Sequence, residues 1–181
     1  MTDTSRQFGQ AIAMCKEVFI NKMKDYGSSW RILRTSSLTD QIYIKANRIR
    51  SIELKGMHKV EEGIRPEFIG IVNYSVMALI QLELGPEADL ELDEPGAVEL
   101  YDRHLQSARK LMEDKNHDYD EAWRNMRVSS YTDIILMKLK RIKQIEDNEG
   151  ETLVSEGVDA NYRDIINYAL FALIKLGTVE N

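Results

Sequence analysis

Cysteine is nearly absent from this chain. Cys15 is the one cysteine among 181 residues, so no internal disulfide can form and a reducing, cytoplasmic setting is expected. Positive charge is in deficit: 24 Lys and Arg face 30 Asp and Glu, a net charge of −6. That balance argues against a broad phosphate-backbone footprint and against nucleic acid as a partner. No basic segment followed by an apolar run opens the sequence. No stretch reaches about 18 uninterrupted apolar residues, so neither a signal peptide nor a membrane span is expected. The three histidines, His58, His104 and His117, are scattered. There is no zinc spacing, no phosphate-binding glycine loop and no nucleophile elbow. Carboxylates and a metal are the catalytic chemistry left available.

What is present is a repetition. The stretch KDYGSSWRILRTSSLTD, Lys24 to Asp40, recurs as HDYDEAWRNMRVSSYTD, His117 to Asp133, with nine of seventeen positions identical at an offset of 93 (118 − 25). Lys45, Arg48, Ile49, Ile52 and Glu53 meet Lys138, Arg141, Ile142, Ile145 and Glu146 at the same offset. One inserted residue moves the offset to 94, where Glu62-Gly63 meets Glu156-Gly157 and Asn73-Tyr74 meets Asn167-Tyr168. The chain therefore divides into a first repeat, 1–84, an acidic proline-bearing linker, 85–94, and a second repeat, 95–181.

Each repeat reads as three helices. The first runs from about Ser5 to Lys24, where Thr4 and Gln7 suit a capping box and Phe8, Ile12, Cys15, Phe19 and Met23 form an apolar stripe. Its counterpart runs from about Pro95 to Asn116. The second helix is expected to start near Thr39 and near Thr132, after Ser37-x-x-Asp40 and Ser130-x-x-Asp133. The third spans about Pro66–Leu84 and Asn161–Leu176. Few prolines or glycines interrupt these segments, and no run alternates as a strand would. The expected fold is all-α, two tandem three-helix repeats in one pseudo-two-fold bundle. In NYRDIINYALFALIKL apolar side chains point nearly all round the axis. Such a helix must be covered on several sides, so the two third helices should meet at the centre. The monomer then resembles a fused dimer, the alternative being two beads on a linker; as to assembly, a monomer of this kind or a homodimer is expected.

Some polar residues fall where apolar ones belong. At about 100° per residue, Glu53 lies within about 20° of Ile42, inside the stripe of the second helix. Glu146 repeats this behind Ile135, Leu139 and Ile142. A carboxylate there needs a partner, a proton or a cation. Lys138 and Arg141 are candidate partners for Glu146, unless it turns to solvent at a fraying helix end. On the last helix Asp164 and Asn167, at i and i+3, share a face, with Glu156 and Asp159 nearby. Carboxylates from neighbouring helices aimed at one space make Mg²⁺ or Mn²⁺ sites; a buried hydrogen-bonded pair is the alternative. In the first repeat Gly70 stands where Asp164 would be. The loop aromatics Tyr26, Trp30, Tyr119 and Trp123 either close the core or offer a flat face to a nucleobase. Arg31, Arg34, Arg124 and Arg127 are either phosphate contacts or solvated loop charges.

The set Asp-Tyr-Gly-x-x-Trp-Arg, Lys-x-x-Arg-Ile with Glu53, Glu-Gly, and Asp-x-x-Asn-Tyr resembles the nucleotide modification associated domain family, formerly a domain of unknown function. The resemblance covers both repeats; the second departs from it at Asp120 and the first at Gly70. The family is distantly similar to all-α nucleotide pyrophosphohydrolases of the MazG-like and dimeric dUTPase group. Those hold Mg²⁺ with helix-borne Glu and Asp and cleave a nucleoside triphosphate to a monophosphate and pyrophosphate. This chain carries no clean copy of their paired Glu-x-x-Glu and Glu-x-x-Asp motif. The resemblance implies a nucleotide or nucleoside triphosphate partner, with Glu146, Glu156 and Asp164 as catalytic carboxylates holding Mg²⁺, or Mn²⁺ in its place. Substrate contacts would come from Asp25, Tyr26, Trp30 and Arg31, from Asp118, Tyr119, Trp123 and Arg124, and from Lys138, Arg141, Asn167 and Tyr168. The other readings are a non-catalytic nucleotide-binding protein and a structural helical scaffold.

Overall fold

The computed structural model describes residues 3–56, 60–85 and 91–177, with 60–62 described by backbone alone. Part of the linker, 86–90, lies outside them, as do His58 and the last four residues. The described chain forms six α-helices: α1 Asp3–Tyr26, α2 Thr35–Lys55, α3 Val60–Leu84, α4 Glu94–Tyr119, α5 Val128–Asp147 and α6 Val158–Lys175. A short 3₁₀ turn bridges α1 to α2 at Ser29–Ile32, and another bridges α4 to α5 at Ala122–Asn125. No strand occurs among the described residues. The fold is all-α and built of two copies of one unit.

Equivalent helices pair across the molecule: α1 packs on α4, α2 on α5 and α3 on α6. Cross-links fix these pairs as antiparallel. Ser5 of α1 meets Arg109 of α4 while Lys16 meets Asp102. Arg65, near the start of α3, donates to the Leu176 and Gly177 carbonyls at 2.9 and 2.7 Å, closing the end of α6. This is the geometry of a pseudo-two-fold axis perpendicular to the helices. The third helices fill the centre as their all-round apolarity requires. Along α6, Tyr162, Ile165, Ile166, Ala169, Leu170, Ala172 and Leu173 are all fully buried. By length and composition Gly63–Leu84 could cross a membrane, but 72% of an 18-residue stretch within it is already buried inside the fold.

Several helix starts differ from the sequence expectation. Helices α2 and α5 begin at Thr35 and Val128, four residues before Thr39 and Thr132. Thr39 and Thr132 lie inside the helix and bond back to the Thr35 and Val128 carbonyls at 3.0 and 3.4 Å, a use of threonine that competes with capping. Thr4 and Gln7 do not cap α1 either. Their side-chain oxygens accept from the Arg124 guanidinium at 2.6 and 2.8 Å, and Thr4 also bonds Glu121. The start of α1 thus braces the loop of the opposite repeat. The α4 start does behave as expected: the Asp93 carboxylate accepts from the Gly96 N–H at 2.8 Å, with Pro95 in the first turn.

Candidate functional site

The Asp-Tyr…Trp-Arg loops serve the fold in one way and differ in another. In each, the third helix reaches up to hold the loop carbonyls. Gln81 donates to the Arg31 and Leu33 carbonyls, both at 2.7 Å. Its counterpart Lys175 donates to the equivalent carbonyls of Arg124, at 2.9 Å, and Met126. The arginines turn inward. Arg31 is buried and bonds Gln81, and Arg124 bonds Glu121, Thr4 and Gln7. Two of the four arginines expected as phosphate contacts are thus spent on holding the loop. Asp25, Tyr26, Asp118 and Tyr119 lie exposed at the ends of α1 and α4, so the loop tyrosines do not close the core.

The two tryptophans have different surroundings. Phe171 lies flat against Trp123, centroids 4.4 Å apart and planes 6° apart, and the Arg124 guanidinium sits over the ring at 4.4 Å. With stacking and cation–π contacts in place, Trp123 offers no face to a nucleobase. Its counterpart Trp30 touches Phe19 in a tilted arrangement, 6.4 Å between centroids, and lines a cavity of about 650 Å³. In the first repeat Met77 stands where Phe171 stands in the second.

The expected carboxylate cluster does not assemble. Asp164 is buried, and its two oxygens accept from Lys115 of α4 and Lys138 of α5, each at 2.8 Å. Burial raises its carboxyl pKa; the two lysines' hydrogen bonds and charges outweigh that and leave it below the ordinary aspartate value. Glu146 faces α2 of the other repeat and accepts from the Thr39 hydroxyl at 2.7 Å, and Tyr162 OH bonds the same hydroxyl. Burial raises the Glu146 pKa; the Thr39 bond opposes this and nearby Asp40 and Asp147 add to it. Glu146 therefore points inward as expected but meets neither Lys138 nor Arg141. Glu156 is exposed in the loop before α6. Among the described residues no group of three or more His, Cys, Asp or Glu is placed to hold a metal ion. The residues expected to ligate Mg²⁺ do not fit it: one is neutralised by lysines, one is bonded to a threonine and one stands apart.

Other expected contacts are structural. Asn167 donates to the Ala108 carbonyl at 3.0 Å and ties α6 to α4, as Asn73 ties α3 to α1 through Cys15 at 3.1 Å. Tyr168 packs on Tyr131 and Phe171. Lys138, Arg141 and Glu156 border a depression of about 920 Å³ between α5 and the loop at 148–157; among the described residues no aromatic ring lines it.

The first-repeat cavity gathers what sequence reasoning divided or overlooked. It is bounded by Phe19, Lys22, Tyr26 and Trp30 from α1 and its loop, Lys45 from α2, and Glu67, Gly70, Asn73 and Tyr74 from α3. Lys45 passes over the Tyr74 ring at 5.7 Å and reaches Glu67 at 3.5 Å, while Arg48 holds Glu67 at 2.9 Å. Lys22 escaped notice in the sequence, although its match with Lys115 at the 93-residue offset was there to find.

Known proteins add one finding. The family model for nucleotide modification associated domain 1 matches residues 22–82 and again 115–176. The two starts are 93 apart and the two ends 94, the offsets of the duplication (115 − 22; 176 − 82). No curated protein and no solved structure matches the chain. With both repeats matched over more than half its length, the chain belongs to the nucleotide modification associated domain 1 family, as a tandem duplication.

Proposed function

We propose that the chain binds one nucleotide in the first-repeat cavity and does not hydrolyse it. The observation that carries this reading is the composition of that cavity. Four aromatic rings, Phe19, Tyr26, Trp30 and Tyr74, stand with Lys22 and Lys45 around about 650 Å³, within the ordinary size of small-molecule sites. Aromatic faces suit a base and lysines suit a phosphate. The family's association with nucleotide modification agrees with it. Pyrophosphohydrolase chemistry needs convergent carboxylates for Mg²⁺. Here the three expected ones face a lysine pair, a threonine and a surface loop, so turnover is not part of the proposal.

Tryptophan fluorescence tests it directly, because Trp30 lines the cavity and Trp123 is sealed between Phe171 and Arg124. A panel of nucleotides should quench the parent and Trp123→Phe, and leave Trp30→Phe unmoved. Absence of any quenching or calorimetric heat across the panel would end the reading. Steady pyrophosphate release with Mg²⁺ would restore the hydrolase.

A further inference from the structure

The two repeats differ at the position that decides whether this space is open. In the second, the Asp164 carboxylate bridges Lys115 and Lys138. In the first, the equivalent lysines are Lys22 and Lys45, and Gly70 occupies the carboxylate's position. Lys22 lines the cavity, and among the described residues no carboxylate pairs with it. A Cβ built on Gly70 would lie 2.6 Å from the Lys45 stem and 3.1 Å from its ammonium, so the flexible Lys45 chain leans over bare helix backbone into the space the Asp164 side chain fills in the second repeat, and swings aside to admit an anion there. The repeats also differ at Met77 and Phe171: the phenyl ring seals Trp123, and the methionine leaves Trp30 beside open space.

Resting on the nucleotide reading above, we infer that a ligand phosphate takes in the first repeat the place that the Asp164 carboxylate holds in the second, bridging Lys22 and Lys45. The second repeat then displays the liganded state of the lysine pair, with a built-in carboxylate standing for the ligand's anion. Charge selects the ligand class. Lys22, Lys45 and Arg48 against Glu67 leave a net +2 around the subsite (3 − 1), and a phosphate monoester carries about −1.5 to −2 at neutral pH. A triphosphate brings more negative charge than these groups balance. The ligand is therefore a nucleoside monophosphate, bound once per chain, with its base among the aromatic rings.

Calorimetric titration separates this inference from the reading it rests on. The probes are the four deoxynucleoside monophosphates, their parent nucleosides, the triphosphates and inorganic phosphate, each against the parent, Gly70→Asp, Lys22→Met and Lys45→Met. At least one monophosphate should bind with a stoichiometry of one. The matching nucleoside and each lysine variant should bind about tenfold or more weakly, the scale of one lost charge-assisted hydrogen bond. Gly70→Asp should abolish binding by supplying the anion itself. Should Gly70→Asp fail to fold, the two lysine variants still decide the matter. Equal affinity for nucleoside and monophosphate overturns the anion subsite and leaves nucleotide binding standing. So does parent-like binding by Gly70→Asp or by both lysine variants, with Glu67 then simply the counter-charge of this repeat. Binding of no probe overturns both.

Discussion

Replacing Phe8 by tyrosine should stabilise the protein, although it adds a polar atom to a fully buried side chain. The reason lies in the asparagines that join the third helices to the first. Asn73 has both ends of its amide satisfied: its nitrogen donates to the Cys15 carbonyl at 3.1 Å, and its oxygen accepts from Tyr101 OH at 2.7 Å. Asn167 makes the equivalent donation to Ala108 at 3.0 Å, but its oxygen is buried with no partner among the described residues. The residue equivalent to Tyr101 is Phe8 (101 − 93), which has no hydroxyl. A buried acceptor left unpaired costs about 1–3 kcal/mol. The new hydroxyl must give up its own hydration, so the net gain is about 1 kcal/mol, or a Tm rise of about 2–4 °C for a chain of this size. Tyr101→Phe should lower Tm by about 2–12 °C, because it creates the same vacancy at Asn73. Thermal unfolding of both variants and of the double variant is the assay, with the two changes expected to add. A lower Tm for Phe8→Tyr would refute the reasoning. It would mean that the ring's far end meets packed carbon, where extra volume costs about 1–3 kcal/mol, and that the pseudo-symmetric register does not extend to this pair.

Three further outcomes follow from the same geometry. Burial raises the Glu146 pKa in the folded state, so the native form holds its proton longer than the unfolded chain. Stability should therefore fall as pH rises from the ordinary glutamate range through the raised value, and Glu146→Gln should flatten that fall in urea midpoints measured against pH. Asp164 has the opposite sign. Its lowered pKa contributes stability above the ordinary aspartate value that is lost as pH falls toward the lowered one. Asp164→Asn should cost about 3 kcal/mol at neutral pH, the low end for breaking a buried pair because Lys115 is half exposed and can turn to water. The gap from the parent, followed by urea unfolding, should close on acidification. Asp120 holds φ at +49° where its counterpart Gly27 holds +60°. Asp120→Gly should relieve the left-handed conformation and stabilise the chain by about 0.5–1 kcal/mol in chemical denaturation.

The architecture was legible because it rests on periodicity. The 93- and 94-residue offsets gave the two units, and the all-round apolar third helix required its central place beside its twin. What stayed hidden depends on who meets whom across the axis. Thr4 and Gln7 have the spacing of a cap, yet their partners, Arg124 and Glu121, stand more than 110 residues away. Asp164 read as a metal ligand or as half of a buried hydrogen-bonded pair with Asn167, because nothing in the order of residues shows that lysines from α4 and α5 both reach it. Trp30 and Trp123 sit in near-identical motifs, and their opposite surroundings are set by Gly70 against Asp164 and Met77 against Phe171, dozens of residues along the chain. Two single-letter differences on the third helix thus outweighed a nine-residue identity in the loops.

Joining both units in one polypeptide has a genetic consequence. If a single unit were expressed alone and paired with its copy, each codon change would be made in both partners. A Gly-to-Asp change on the third helix would then fill both cavities at once, and no open one would remain. In the tandem gene the two codons vary independently. One unit can give up its cavity for an internal aspartate that fastens three helices together, while the other keeps its own clear. The duplication thereby lets a buried lysine-bridging aspartate and an open cavity, mutually exclusive at a single position, occupy different halves of one molecule.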